Sequence, residues 1–324
     1  VVDGDLRVLG QAVASQDELH ERFRGVVPEI AARAHVERIL PIVDMTLERA
    51  QLKLADLDAV AVAHTPGLAG SLLVGLAAAK ALALALEIPL VPINHLHGHI
   101  YACRMAGVKD LFPCVGLVVS GGHTSLYQCH SSFDFQLLGG TIDDAAGEAF
   151  DKVANMLRLP YPGGPAVSRV AQQGDAQAYR FPRSFLKEPN RLQFSFSGLK
   201  TAVRYQIAGP GKPDVSSVDL SEQQVANLAA SFQEAVVYCL VDKSRRALEI
   251  TGLDTLCVGG GVAANQRLRV RLKTEIAETG YQVHIAPPNL CTDNAVMGGL
   301  AVERLRAGQV ADLDLDVIPG LIRS

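Results

Sequence analysis

The chain carries one local pattern twice, and that repetition limits the folds open to it more than any single motif does. In the first half, a helical stretch around 39–51 leads into the apolar run Leu57-Asp58-Ala59-Val60-Ala61-Val62. The loop His64 to Ser71, with Gly67 and Gly70, then opens a long helix. In the second half, a helical stretch around 229–250 leads into Leu253-Asp254-Thr255-Leu256-Cys257-Val258. The loop Gly259-Gly260-Gly261-Val262-Ala263-Ala264-Asn265 then opens another helix. Each copy runs on, at almost the same spacing, into a short strand (90–93 and 282–286) and a further helix start. A strand, a glycine turn and a helix N-terminus suit phosphate, because free backbone N–H groups and the helix dipole converge there. Either copy alone reads more readily as an ordinary strand-to-helix connection. Two copies at matched positions predict an α/β protein of two related domains around a central cleft. Residues 115–127 read as two strands about a tight glycine turn, the opening hairpin of the second domain.

The chemistry is concentrated in Asn94-His95-Leu96-His97-Gly98-His99. If a helix starts here, His95 and His99 stand one turn apart on one face and can grip one ion, with His97 pointing elsewhere. Leu96 occupies the position at which a zinc-protease HExxH motif needs its glutamate, so that activity is disfavoured. A third ligand is still wanted. Asp293 sits at the matching point of the second repeat, so the expected site joins two histidines of one domain to an aspartate of the other and leaves coordination positions open. A helix N-cap is the alternative role for Asp293.

Two further segments bear on ligands. Asp144, Glu148 and Asp151 recur on one face of a helix that leads into Tyr161-Pro162-Gly163-Gly164-Pro165, a turn where a base or ribose could approach closely. From Tyr179 to Tyr205, the six cations Arg180, Arg183, Lys187, Arg191, Lys200 and Arg204 face the single acid Glu188 among interleaved aromatics, as suits phosphates and stacked bases. Phe194-Ser195-Phe196-Ser197 in that stretch reads equally as core. Net charge is −4, so any nucleic-acid contact has to come from a local patch of this kind. The six cysteines are scattered without a CxxC pair, as in a protein of the reducing cytoplasm. Residues 68–86 are apolar but carry Lys80, and are expected to form a buried helix rather than a membrane span. No signal peptide is read at the start, where Val1-Val2 precede the turn Asp3-Gly4-Asp5.

The segments VVSGGHT (118–124), TIDDAAGEAFDK (141–152), YPGGP (161–165), FSFSGLKT (194–201), GGGVAANQRLR (259–269) and CTDNAVM (291–297) resemble, in order and over nearly the whole chain, the TsaD family. These are tRNA adenosine threonylcarbamoyltransferases, formerly called O-sialoglycoprotein endopeptidases. The resemblance implies an actin-like ATPase fold of duplicated ribonuclease-H-like units. It implies transfer of threonylcarbamoyl from threonylcarbamoyl-AMP to the exocyclic amine of adenosine 37, in tRNAs reading codons that begin with A. It places the metal ligands on His95, His99 and Asp293. The ion is one divalent metal, Fe2+ first and Zn2+ second. Substrate or nucleotide contacts fall on Val118, Val119, Ser120, Gly121, Gly122, Asp151, Gly164 and Asn265. The implied partners are tRNA, an ATP-type nucleotide, a TsaB-like paralogue and a TsaE-like ATPase; no membrane is expected.

Domains are expected over 1–112, with a C-terminal helix returning to it, and over 113–324, with a basic and aromatic insertion at about 165–220. The chain departs from the family pattern in three places. It reads as starting just after the family's opening strand, His97 stands where many members have Glu, and Ser168 stands where many have Asp. Two rival functions remain: an actin-like small-molecule kinase, which leaves His95, His99 and Asp293 unexplained, and a non-catalytic scaffold, which has no need of them.

Overall fold

The computed structural model describes residues 1–23, 25–109, 111–210, 215 and 217–320. The chain forms two compact units, Val1–Lys109 with Asp293–Ser324, and Asp110–Thr292. The first begins with α1 (Asp17–Glu21) and α2 (Pro28–Ala50). The doubled pattern then appears in order as β1 (Val60–Thr65), α3 (Ala69–Leu86), β2 (Leu90–Asn94) and α4 (His95–Met105). β1 and β2 pair in parallel, Val60 opposite Leu90, as a strand–helix–strand crossover requires. α2 starts well before the expected 39 and runs through Pro41. Pro41 and Glu37 are both exposed, so water can take the carbonyl that the missing proline N–H would have bonded.

α3 corrects the reading of 68–86 as a buried helix. Only Leu76, Ala79 and Ala83 are buried, against β1 and α2, while Leu73 and Leu84 are 50% and 66% exposed. By length and composition alone α3 is apolar enough to cross a membrane. It is amphipathic by contact rather than by composition, because alanine and leucine supply both its faces.

The second unit opens with the expected hairpin, β3 (Cys114–Val119) and β4 (Thr124–Cys129), followed by β5 (Phe135–Gly140). Then come α5 (Ala146–Met156), α6 (Gly163–Ala171), α7 (Ser197–Ala208) and the long α8 (Glu222–Thr251). The second copy of the pattern closes the unit: β6 (Thr255–Gly259), α9 (Gln266–Glu275), β7 (Gln282–Ile285) and α10 (Pro288–Cys291). The sheet order is β5-β4-β3-β6-β7, antiparallel through the meander and parallel from β3 to β7. Every residue of β3 and β6 is buried, the pattern of central strands covered on both faces. α8 lies against β3, β4 and β6, and α5 and α6 pack on α8.

Residues 293–324 then rejoin the first unit, through a 3-10 turn (Ala295–Gly299) and α11 (Leu300–Arg306). Asp293, expected from the second domain, therefore belongs to the same unit as the two histidines. The 3-10 turn that follows it packs on α4, and this contact draws the segment in.

Candidate functional site

The first site is built at the start of α4. Asn94 closes β2 and caps the helix, its side chain accepting from Leu96 N at 2.9 Å and His97 N at 3.4 Å. This cap puts His95 in the first turn and His99 one turn later, with ring centroids 4.6 Å apart. One carboxylate oxygen of Asp293 faces both rings, 3.4 Å from Nε2 of His95 and 3.5 Å from Nε2 of His99. The three ligand atoms all lie within 4.8 Å of one another. The N-cap of the following turn is Asn294 rather than Asp293, which leaves the Asp293 carboxylate for this site.

The residues fit a metal ion. His99 is fully buried, yet neither of its ring nitrogens has a hydrogen-bond partner of good geometry. Two orphaned buried polar atoms are costly, and an ion at Nε2 would satisfy one of them. Burial holds the His99 pKa down despite the opposing pull of Asp293, so the ring presents a neutral lone pair. Crowding by protein would raise the Asp293 carboxyl, but the His95 and His99 imidazoles hold it well below the ordinary carboxylate range. Two imidazoles and one carboxylate form a three-ligand set with coordination positions to spare. His97 stays outside this set, pushed down to about 3 by burial and by the Arg304 guanidinium. Behind the helix, Tyr101 donates to Glu303 and Arg304 donates to Pro92 O at 2.7 Å, tying α4 and β2 to α11.

The second site lies within the other unit, at the C-terminal end of β3. Val118 and Val119 have 0% exposure, so their side chains belong to the core and they lead the backbone into the turn. Ser120 N donates to His123 O at 2.8 Å and His123 N donates to Ser120 Oγ at 3.2 Å, closing that turn. Gly121 and Gly122 have open space where a Cβ would be. α5 abuts the turn through Gly147, whose N donates to Ser120 O at 3.2 Å and whose added Cβ would lie 2.6 Å from that oxygen. The Gly260 loop meets the same strand end, for a Cβ there would fall 2.3 Å from Val119 O.

Asp151 Oδ1 accepts from Gly163 N at 2.8 Å and so secures the start of α6; burial pushes its carboxyl up, while the Gly163 and Gly164 N–H groups pull it down. Asn265 caps α9 through Leu268 N at 3.0 Å and donates from Nδ2 to Gln233 Oε1 at 2.7 Å. Gln233 and Glu234 of α8, with Ser168, Gln172, Gln266 and Arg267, line a cavity of about 270 Å³. Gln266 and Arg267 lie in the quoted segment 259–269, whereas Gln172, Gln233 and Glu234 fall in no motif, because a side chain on a helix face shows none until a neighbouring helix closes over it.

The comparisons with known proteins bear on the whole of this. The family model described as "TsaD: tRNA N6-adenosine threonylcarbamoyltransferase" matches residues 7–300. The chain belongs to the TsaD family. A relative in Rhodopirellula baltica named tRNA N6-adenosine threonylcarbamoyltransferase is 56% identical, covering 100% of this chain and 93% of that protein. One of the same name in Anaeromyxobacter dehalogenans is 49% identical over 98% and 94%. Among solved structures, full-length HypF in its phosphate- and nucleotide-bound form superposes with a TM-score of 0.58 at 16% identity. That match covers 83% of this chain and 41% of HypF, and shows the fold alone. The actin-like α/β class expected from sequence stands.

The other expected TsaD-family contacts divide. Asp144 is neutralised by Lys152 at 2.8 Å and Lys200 at 3.0 Å, and Glu148 pairs with Lys152 at 2.7 Å, so of that acidic face Asp151 alone is left uncompensated by a lysine. Asp143, which sequence reasoning missed, accepts from Phe196 N at 2.8 Å and Ser197 N at 3.2 Å and starts α7. In the basic stretch, of which 211–214 and 216 of the wider insertion lie outside the described residues, Arg183 stacks over Tyr238 at 3.9 Å. Arg191 stacks over Phe185 at 3.6 Å. Phe194 and Phe196 are core, and the buried Lys243 donates to Arg191 O at 2.8 Å. These contacts pin the segment to α8. Arg180 and Lys187 are exposed.

Proposed function

We propose that this chain transfers the threonylcarbamoyl group of threonylcarbamoyl-AMP to the exocyclic amine of adenosine 37, in tRNAs reading codons that begin with A. His95, His99 and Asp293 hold one divalent ion, ferrous iron first and zinc second, a set of two histidines and one carboxylate that serves either metal. The observation that carries this reading is the single Asp293 oxygen facing two imidazoles, one of them fully buried with no hydrogen bond of good geometry. Membership of the family gives the site its reaction; a kinase or a scaffold has no use for the triad.

When bound, the ion supplies Lewis acidity toward the acyl donor. The chain's own residues do the rest. The N–H groups of Gly121 and Gly122, in the turn that Ser120 closes, receive the phosphate of the adenylate. Asp151 and Gly164 take the ribose, and Asn265 holds Gln233 in the wall of the cavity that takes the base. The bond from the carbamoyl carbon to the phosphate oxygen breaks, a bond to the adenine nitrogen forms, and AMP leaves as the amine loses a proton. The adenine amine is a weak nucleophile, so positioning supplies much of the rate.

The protein works in the cytoplasm with a TsaB-like paralogue and a TsaE-like ATPase. The exposed apolar side chains Leu73 and Leu84 of α3, and Val36 and Leu40 of α2, suit cover by such a partner. The test is AMP release from threonylcarbamoyl-AMP by the metal-loaded protein with these partners. Release that requires tRNA supports the reading, whereas ADP formed from ATP and a small acceptor, independent of tRNA, overturns it.

Two expectations accompany this reading. Asp151→Ala should weaken adenosine-nucleotide binding about tenfold or more, through the lost ribose acceptor, while metal content stays the same. Calorimetric titration of the nucleotide checks it. For tRNA, Arg180→Ala with Lys187→Ala should flatten the salt dependence of binding by somewhat less than one unit per lost phosphate contact. Arg183→Ala with Arg191→Ala should instead lower stability by roughly 1–2 kcal/mol, the loss of two stacked guanidiniums. A salt series and urea melts on both double variants distinguish the roles.

A further inference from the structure

His95 and His99 are placed by α4, whereas Asp293 is placed by the 3-10 turn that starts two residues after it. The distance from carboxylate to imidazoles is therefore set by how closely these two elements approach, and their seam is built of glycines. A Cβ on Gly98, between His97 and His99, would lie 3.1 Å from the backbone oxygen of Met297 and 3.3 Å from its Cε. From the other side, a Cβ on Gly299 would lie 2.3 Å from Sδ of Met105, and one on Gly298 would lie 3.2 Å from Cδ1 of Ile93. Ile93 can move aside at its flexible end, whereas Met105 also presents Cε and Cγ, at 3.0 and 3.3 Å from the added Cβ on Gly299, so its whole side chain has to shift. The Met297 carbonyl cannot, because Asn294 fixes that turn by accepting from Met297 N at 3.3 Å. Asn94 and Asn294 cap the two elements at the residues adjoining His95 and Asp293, so each element behaves as a stiff arm.

We propose that Gly98 is a positioning residue for the metal site: by carrying no side chain it admits the Met297 carbonyl against α4, and that approach sets the reach of Asp293 to His95 and His99. The proposal rests on the metal reading above. A side chain at Gly98 displaces the Asp293 arm by a few tenths of an ångström or more, which is the scale on which ligand distances decide affinity. Helix propensity acts in the opposite direction, since alanine is favoured over glycine inside a helix. Loss of binding in Gly98→Ala would therefore come from displacement and not from a weakened α4.

The experiment titrates Zn2+ into the apo full-length protein and follows binding by calorimetry, with thermal melting of the apo form alongside. Gly98→Ala is expected to weaken Zn2+ binding roughly 10- to 100-fold, as changes behind a metal's ligands do, with apo melting close to that of the unaltered protein. Gly75→Ala, inside α3 of the same unit with Val62 at an ordinary 3.8 Å, is the control and should bind Zn2+ normally. Asp293→Glu should weaken binding by itself, yet restore part of it in the Gly98→Ala background, because the longer side chain spans the widened seam. If Gly98→Ala does not accumulate as folded protein, Gly299→Ala presses on the same seam from the opposite side. It should lose affinity likewise and recover when Met105→Ala makes room. Unchanged affinity in Gly98→Ala, or in Gly299→Ala where that variant replaces it, overturns the proposal, as does absence of any recovery in the paired variants. If the unaltered protein binds no Zn2+ or Fe2+, the metal reading itself falls and the proposal with it.

Discussion

Replacing His99 by alanine is expected to abolish stoichiometric metal binding and to slow threonylcarbamoyl transfer by about 10³-fold or more. A bound metal ion contributes several kcal/mol to a reaction that develops charge on oxygen. Two remaining ligands, His95 and Asp293, do not make a stable site for a divalent ion. The effect on the apo fold should be small, because two losses offset each other. Truncating a fully buried ring leaves a void, which costs stability. The same change removes two buried nitrogens that lack partners, relieving about 1–3 kcal/mol. The apo variant should thus melt near the apo parent, whereas the gain in stability on adding metal, about 2.7 kcal/mol at a hundredfold excess over Kd, should disappear. Elemental analysis and melting curves with and without Fe2+ or Zn2+ check all three statements. His95→Ala should lose metal likewise, with less effect on packing because that ring is partly exposed.

Gly260→Ala should destabilise the second unit and weaken its nucleotide site together. Its backbone sits at φ +98°, where a side chain is strained, and the added Cβ would fall 2.3 Å from the oxygen and 2.7 Å from the carbon of Val119. The strained backbone costs about 1–2 kcal/mol and the overpacking about 1–3 kcal/mol, so a loss of roughly 3 kcal/mol is expected. That is a large share of a domain's usual 5–15 kcal/mol. Relief of the clash moves the loop off the end of β3, and adenosine-nucleotide binding should weaken with it. Gly261→Ala, next in sequence but with open space at its Cβ, should do neither. Urea unfolding and nucleotide titration of the two variants give the comparison.

Much of this was legible in the sequence, for local reasons. The spacing of His95 and His99 needs only a helix, and Asn94 starts one there. The doubled strand–loop–helix pattern located β1, β2, β6 and β7 to within a few residues, because alternation of apolar runs with glycine turns is written locally. The same repeat picked out Asp293, yet assigned it to the wrong unit. Matching positions in two copies say nothing of where the chain returns after the second copy, and the return shows only in the packing of the turn Ala295–Gly299 on α4. The burial of α3 was over-read for a related reason: hydropathy counts apolar atoms without counting what covers them. Tyr238 under Arg183, and Phe185 under Arg191, were beyond reach because cation–π partners distant in sequence leave no trace in either segment. The cavity bordered by Gln233 and Glu234 needed α6, α8 and α9 together before it existed.

The most direct measurement is mass spectrometry of nucleosides from tRNA after reaction. Unmodified transcript, threonylcarbamoyl-AMP, the metal-loaded protein, a TsaB-like paralogue and a TsaE-like ATPase are combined, and the RNA is then digested. An adenosine heavier by one threonylcarbamoyl group is the expected product. It should be absent from a transcript carrying guanosine in place of adenosine 37, and absent when His99→Ala replaces the parent protein. Unmodified adenosine with the fully metal-loaded protein, or equal product from the His99→Ala variant, would contradict it.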